Sequence, residues 1–251
     1  MSGTVQIRFY EELNDFLPAE QRKITFQHNF KQSGSIKDMV EALGIPHTEI
    51  DLILINGHSV DFNYQVQDGD RISVYPAFES LDISPVTRLR PTPLRITRFV
   101  LDTHLGRLAA YLRLFGFDTL YRNDYSDKTL AEISANEHRI LLTRDKQLLM
   151  RKQITHGYYV RTTQPRKQLV EIFQRFDLHK SQQPFIRCMH CNGDIRPVPK
   201  EEIESRLLPH TKTWHHEFWQ CSQCHKIYWK GSHYQRLQQI VAAINDKEAN
   251  F

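Results

Sequence analysis

Residues Arg98–Asp145 read RFVLDTHLGRLAAYLRLFGFDTLYRNDYSDKTLAEISANEHRILLTRD, a run in which short apolar stretches alternate with helix-like ones and acids follow the apolar stretches. RFVL is a short, continuous apolar strand that Asp102 ends. LGRLAAYLRLFG then repeats Leu105, Leu108, Ala109, Leu112 and Phe115 on one helical face, with Gly116 as its stop, so Arg107 and Arg113 are expected to point elsewhere. FDTLY is a second strand, Asp127 opens or caps the helix DKTLAEISANEH, and RILLT is a third buried strand that leads into Asp145. DKQLLMRK offers a short helix, YYVR a fourth strand and PRKQLVEIFQRF a helix with Pro165 in its first turn. Strands alternating with helices predict an α/β domain over residues 96–180, a parallel sheet with helices on both faces.

The carboxyl ends of parallel strands face the crevice where open α/β sheets bind ligands. Asp102, either Asp124 or Asp127, and Asp145 are therefore expected at one edge. Three converging carboxylates would repel one another without a cation. They suit Mg²⁺ or Mn²⁺, hard ions that take carboxylate oxygens and keep waters, and such an ion activates water for attack on phosphorus. The plainer reading is that each Asp is a helix cap or turn residue. Thr143 is expected to position Asp145 or a water. Arg107, Arg144 and Lys146 are candidate phosphate contacts, against the plain reading of solvated surface cations. His104 is a secondary candidate for a general base.

Downstream, all four cysteines fall into two Cys-x-x-Cys pairs, Cys188 with Cys191 and Cys221 with Cys224. Asn192-Gly193 supplies the tight turn after the first pair. This spacing predicts a closed, tetrahedral Zn²⁺ site in a zinc ribbon over residues 181–240, rather than disulfides or a redox pair. Around it, Trp214, Phe218, Trp219, Tyr228, Trp229 and Tyr234 interleave with basic residues. Some of these aromatics must pack a ribbon that has little core; the others offer stacking surfaces for single-stranded bases, with Lys226, Lys230 and His233 as solvent-facing contacts. The segment from Leu237 reads as a short final helix that frays into a tail over residues 241–251.

Upstream, VQIRFY and KITFQ alternate as strands around a polar turn at Pro18–Gln21, and Ser35 is placed to cap the helix IKDMVEAL before Gly44. DLILINGHSV turns at Asn56-Gly57, and DRISVYP completes the order strand, strand, helix, strand, strand over residues 1–80. That order, with INGHSVDFNYQVQDGDRISVYPAF, resembles the ubiquitin-like β-grasp fold of small sulfur-carrier proteins. Those carriers act through a C-terminal Gly-Gly, which PAFESLD lacks, so the module is expected to serve as an interaction or regulatory element, or as a stabilising appendage. Pro85, Pro91 and Pro93 mark residues 81–95 as a linker, made basic by Arg88, Arg90 and Arg95.

The 251-residue chain is long enough for two or three such modules. Its net charge of +4 conceals an asymmetry. Residues 1–84 hold 6 basic and 13 acidic side chains, net −7, whereas residues 144–236 hold 17 and 8, net +9. A basic half attracts a phosphate backbone, and an acidic one suits a protein partner. No apolar run approaches a membrane span, and MSGTVQIRFYEELNDF lacks the basic, then apolar layout of a secretory signal, so the expected compartment is the cytoplasm.

Three blocks carry a further resemblance: VLD at the first strand, D-x-x-L-A at Asp127, and LLTRD at the third strand. They resemble the PIN nuclease superfamily. FVLDTHLGRLAAYLRLFGFDT with RILLTRD, followed by RC-x-x-C-N-G and C-x-x-C with YW-x-GSHY, is similar to the RNase family named for the C-terminal domain of the exonuclease Mut-seven, over most of residues 98–236. The resemblance implies a metal-dependent ribonuclease acting on single-stranded or structured RNA, with Asp102, Asp127 and Asp145 as metal ligands and Asp124 in reserve. It also brings a β-grasp extension known in some members. One departure stands out, since many PIN nucleases carry a further acid, often Glu, where Leu105–Phe115 has none. A non-catalytic RNA-binding or adaptor protein that kept the fold is the alternative.

Overall fold

The computed structural model describes residues 2–76, 86–89 and 97–246. Pro85, Arg90, Pro91, Pro93 and Arg95 of the expected linker, and residues 247–251 of the expected tail, lie outside the described residues.

β1 (Gly3–Phe9) sends Val5, Ile7 and Phe9 into the core on alternate positions, as period-2 patterning requires. β2 (Phe26–Phe30) pairs with it antiparallel. The strand expected at KITFQ is thus displaced towards the C-terminus. Lys23 adopts a left-handed φ of 60° with its N–H on Asn14 Oδ1 at 2.6 Å, which leaves Ile24 49% exposed. The preceding connection is built of 3₁₀ turns at Glu11–Phe16 and Ala19–Gln21, the first of which buries Leu13 and Phe16. α1 (Ile36–Ala42) starts as the sequence indicates, through a reciprocal cap. Ser35 Oγ accepts the Asp38 N–H, and the Asp38 carboxylate accepts the Ser35 N–H. β3 (Ile50–Ile55), the short β4 (His58–Ser59) and β5 (Arg71–Pro76) complete a sheet of order β2-β1-β5-β3-β4. β1 and β5 are parallel, and the other pairs antiparallel. Ile36, Met39 and Val40 of α1 join the core made by Ile7, Ile53 and Val74, the arrangement expected of a β-grasp. Leu89 joins the same core, and Thr87 Oγ1 donates to the Asp51 carbonyl at 2.5 Å, so this part of the expected linker is packed.

Then follow β6 (Phe99–Leu101), α2 (Gly106–Leu114), β7 (Thr119–Tyr121), α3 (Asp127–Glu137), β8 (Ile140–Thr143), α4 (Lys146–Leu149), β9 (Gly157–Tyr159) and α5 (Pro165–Arg175). β6 and β7 are parallel, as are β8 and β9, and a helix connects the strands of each pair, the crossover that parallel pairing demands. β6 and β8 are buried along their whole length, which accounts for their unbroken apolar runs. β10 (Ile195–Val198), α6 (Lys200–Ile203), α7 (Pro209–Trp214), β11 (Phe218–Cys221) and β12 (Ile227–Trp229) form an antiparallel ribbon of order β10-β11-β12 with a helical insertion, followed by α8 (Ser232–Asn245). α8 begins five residues before the helix read from sequence and runs five residues into the expected tail. Tyr234 in its first turn meets Phe185 at 4.7 Å, and Ile240 and Ile244 are buried further on. Among the described residues no helix is long and apolar enough to cross a membrane.

The chain forms two compact units, one of residues 1–96 with 126–159, the other of residues 97–125 with 160–251. In the first, the β-grasp module rests on the segment that carries β8 and β9. His47 bridges the Glu41 carboxylate at 2.6 Å and the Ile154 carbonyl at 2.8 Å, and Glu49 accepts the Tyr159 N–H at 2.6 Å. Phe16 meets the Tyr159 ring edge-on at 5.5 Å.

Candidate active site and metal centre

In the second unit, Asp102 directly follows β6 and is 8% exposed. Its Oδ1 accepts the Thr103 N–H at 2.6 Å and caps a single 3₁₀ turn that feeds α2. Asp124 is exposed, and both its oxygens are taken by Arg122, at 2.9 and 2.7 Å. That hydrogen-bonded guanidinium holds the Asp124 carboxyl below its ordinary range. The two-toothed pair makes Asp124 the less available of the two candidates at this position. Arg107 is exposed on the first turn of α2, which contains no acid.

In the first unit, Asp127 is the first residue of α3, and the cap is its neighbour Ser126, whose side chain accepts the Thr129 N–H. The capping explanation for Asp127 therefore falls. Its carboxylate lies 3.2 Å from Arg151 Nη2. Asp145 follows β8 and caps α4 through Oδ1, which accepts the N–H of Gln147 at 2.8 Å. Thr143 is fully buried, and its hydroxyl accepts the Asp145 N–H at 2.9 Å. It fixes the loop that carries Asp145 instead of reaching solvent. Lys146 places its ammonium over the Phe16 ring at 4.7 Å and the Tyr159 ring at 5.8 Å, so aromatic faces engage the cation expected at a phosphate. Arg144 is half-buried beside it.

The ribbon brings its four cysteines together. The sulfurs of Cys188, Cys191, Cys221 and Cys224 all lie within 4.8 Å of one another, with Cys188 and Cys224 at 3.6 Å and Cys191 and Cys221 at 3.4 Å. A tetrahedron of about 2.3 Å Zn–S bonds has edges of about 3.8 Å, so the donor set and its spacing are compatible with zinc. Each knuckle is shaped by backbone hydrogen bonds: Cys188 N–H to Gly193 O at 2.7 Å in one, Cys221 N–H to Lys226 O at 3.0 Å in the other. Asn192 turns left-handed at φ 75°, and Gly193 passes so close to Cys221 that a Cβ there would stand 2.9 Å from its sulfur.

The thiols are electrostatically unequal. Burial opposes the Cys188 thiolate, yet hydrogen bonds from Tyr228 and from the backbone at Cys191 and His190 outweigh it and bring the group down to about 7. Burial pushes Cys191 up to about 12 and raises Cys224 as well. Cys191 and Cys224 therefore hold their protons more firmly, and a bound cation would displace them.

Arg113, expected from the helical wheel to point away, is 4% exposed and ties the first knuckle to α2. Its Nη1 donates to the carbonyls of Met189 at 3.2 Å and His190 at 2.9 Å, and its Nε to that of Thr119 at 2.9 Å. Burial lowers its pKa, and the neighbouring Cys191 and Cys188 act in the opposite direction. Asn192 completes the joint by accepting the Thr119 N–H and donating to Asp118. The available signal was an Arg beside the apolar stripe of a helix whose domain also holds a four-thiolate site.

Of the ribbon contacts expected from sequence, Lys226, Lys230 and His233 are exposed. Lys230 pairs with Glu217 at 2.7 Å and lies over the Trp219 ring. Phe218 is buried as ribbon core, while Trp214 is 69% and Trp229 38% exposed.

Residues 97–241 match the family model of the Mut7-C RNAse domain, and residues 2–82 match that of the Mut7-C ubiquitin domain. Neither the curated proteins nor the solved structures include a match to the chain.

Proposed function

The chain belongs to the Mut7-C RNAse domain family, and from that premise we propose that it is a metal-dependent ribonuclease that hydrolyses RNA phosphodiester bonds. The observation that carries this reading is the family match together with the local setting of two acids, each placed just past the carboxyl end of a buried parallel strand. Asp102, Asp127 and Asp145 are the proposed ligands of Mg²⁺ or Mn²⁺. Their hard oxygen donors fit such an ion, and Asp145 uses only Oδ1 in its cap, with Oδ2 unengaged among the described residues. When bound, the ion supplies Lewis acidity at the scissile phosphate and a more acidic water. Asp102 and Asp145 enter rigidly, because each is fixed by a backbone N–H, and Thr143 holds the second from behind. Arg107 and Arg144 are the proposed phosphate contacts. The +9 half of the chain attracts the RNA, and a structural Zn²⁺ on the four cysteines keeps the ribbon in place to help hold it. A reducing compartment such as the cytoplasm leaves those thiols free for metal.

The deciding experiment is cleavage of an end-labelled single-stranded RNA with Mn²⁺. Replacement of Asp102 and Asp145 by Asn is expected to lower the rate by about 100-fold or more. Undiminished cleavage in that double variant overturns the assignment. A second reading, a non-catalytic RNA-binding or adaptor protein, draws support from the absence of an acid in α2 and from the Arg151 contact to Asp127. It requires salt-sensitive RNA binding without metal-dependent cleavage.

A further inference from the structure

Beside the zinc knuckles the second unit holds a cleft of about 590 Å³, within the range of roughly 300–1,000 Å³ typical of small-ligand sites. Phe185, Trp219, Tyr228, Trp229 and Tyr234 give it aromatic walls, and Lys226, Lys230 and His233 stand on its rim; among the described residues no Asp or Glu lines it. We propose that this cleft is a nucleotide subsite, which takes an unpaired base of single-stranded RNA between its aromatic walls and the attached phosphate on its basic rim. The proposal deepens the RNA reading above and rests on it for the polymer, but not for cleavage.

Three features favour this occupant. The first is the backbone strain that maintains the wall. Phe185 sits at φ 68°, a conformation that bulky residues rarely adopt, anchored by its N–H on the Leu114 carbonyl at 2.8 Å, and its ring meets that of Tyr234 at 4.7 Å. The second is the exposed indole of Trp229. Gly231 comes so near that a Cβ would stand 2.8 Å from its Nε1, which fixes the ring at the cleft edge without covering its face. The third is charge. Lys226 and His233 have no ion-pair partner among the described residues, and Lys230 lies over the Trp219 ring while it pairs with Glu217 outside the lining. The first turn of α8, whose N-cap is Gly231 with no side-chain cap, adds to the same sign of potential. Flat apolar faces beside an unpaired Lys226 and the hydrogen-bonding His233 match a nucleotide, which is flat and apolar at one end and anionic at the other. An acidic peptide would satisfy the rim but not several ring faces.

The test uses the full-length Zn-loaded chain with Asp145→Asn, so that RNA is not consumed. Tryptophan fluorescence is titrated with a ten-nucleotide single-stranded RNA, the same RNA annealed to its complement, an acidic peptide and vesicles containing anionic lipid. Single-stranded RNA is expected to quench and to bind more tightly than the other three. Trp229→Ala and Tyr234→Ala should each weaken it by about 5- to 150-fold, the equivalent of one lost base stack. Lys226→Gln, an exposed change that spares the ribbon core, should flatten the salt dependence by about one ion. Unchanged RNA affinity in Trp229→Ala and Lys226→Gln, with one zinc per chain retained, overturns the subsite, as does preferential binding of peptide, vesicle or duplex. Aromatic-dependent RNA binding without Mn²⁺-dependent cleavage in the wild-type chain sinks the ribonuclease and leaves the subsite standing. Cleavage indifferent to Trp229 does the reverse.

Discussion

The β-grasp module and the zinc ribbon are both small sheets, yet opposite forces hold them. In the first, Ile7, Phe9, Ile36, Ile53 and Val74 are buried completely or nearly so behind five strands and one helix, so exclusion of apolar surface from water does most of the stabilising. In the second, the buried apolar groups are few, Phe218, Ile203 and two cysteine side chains among them, while Trp214 is largely and Trp229 partly exposed. Its centre consists of four thiols with a buried guanidinium alongside. A sheet with so little core depends more on its polar contacts, and its four thiols are spaced compatibly with a zinc ion that would close it. The same lack of core leaves aromatic faces available for a ligand, as the β-grasp module does not.

The sharpest way to break this comparison is to remove one thiol. Cys188→Ser should abolish stoichiometric zinc and unfold the ribbon, since structural zinc contributes on the order of 10–16 kcal/mol in small zinc modules. Amide exchange across residues 2–76 should stay near the wild-type level. Zinc analysis with exchange mass spectrometry reads both; a folded ribbon in the metal-free variant would show that it has a core of its own. The complementary change is Val74→Ala in β5. A fully buried apolar side chain cut back in a packed core should cost about 2–4 kcal/mol. Denaturant unfolding should show that loss while zinc content remains at one per chain.

The same contrast explains what was legible in the sequence. Period-2 alternation and a local capping box specify β1 and α1 within a few residues, and unbroken apolar runs specify β6 and β8. All of these signals lie inside the segment they describe. The clustering of the two Cys-x-x-Cys pairs is equally plain, because residue type and spacing alone predict that the four thiols meet. β2 starts later than the apolar alternation of KITFQ indicates, because a tertiary hydrogen bond from Lys23 to Asn14 bends the chain first. Asp102 and Asp145 could be placed at strand ends, but the sequence did not tell that Asp124 is held by Arg122 or that Lys146 turns onto Phe16 and Tyr159. Those are choices among partners, settled by geometry that no periodicity encodes. Arg113 escaped for the same reason, since an Arg next to an apolar stripe reads as solvent-facing until the carbonyls it meets are known.

Arg113 is therefore where the comparison can be sharpened most finely. It gives the ribbon a link to α2 that does not pass through the metal. Arg113→Met keeps much of the apolar stem and removes the N–H groups that meet the buried Thr119 carbonyl and the partly exposed carbonyls of Met189 and His190, at a cost of about 1–3 kcal/mol. It also removes the positive charge beside Cys188 and Cys191, so the thiolates become harder to form and zinc should be lost faster to a competing chelator. Arg113→Lys restores charge but cannot donate to carbonyls on two sides at once. If charge matters most, Lys should recover zinc retention without recovering stability; if the carbonyl contacts matter most, neither variant should recover either property. Chelator competition and thermal unfolding on the same preparations separate the two outcomes. Wild-type behaviour of Arg113→Met in both assays would mean that the metal alone holds the first knuckle, with no help from α2.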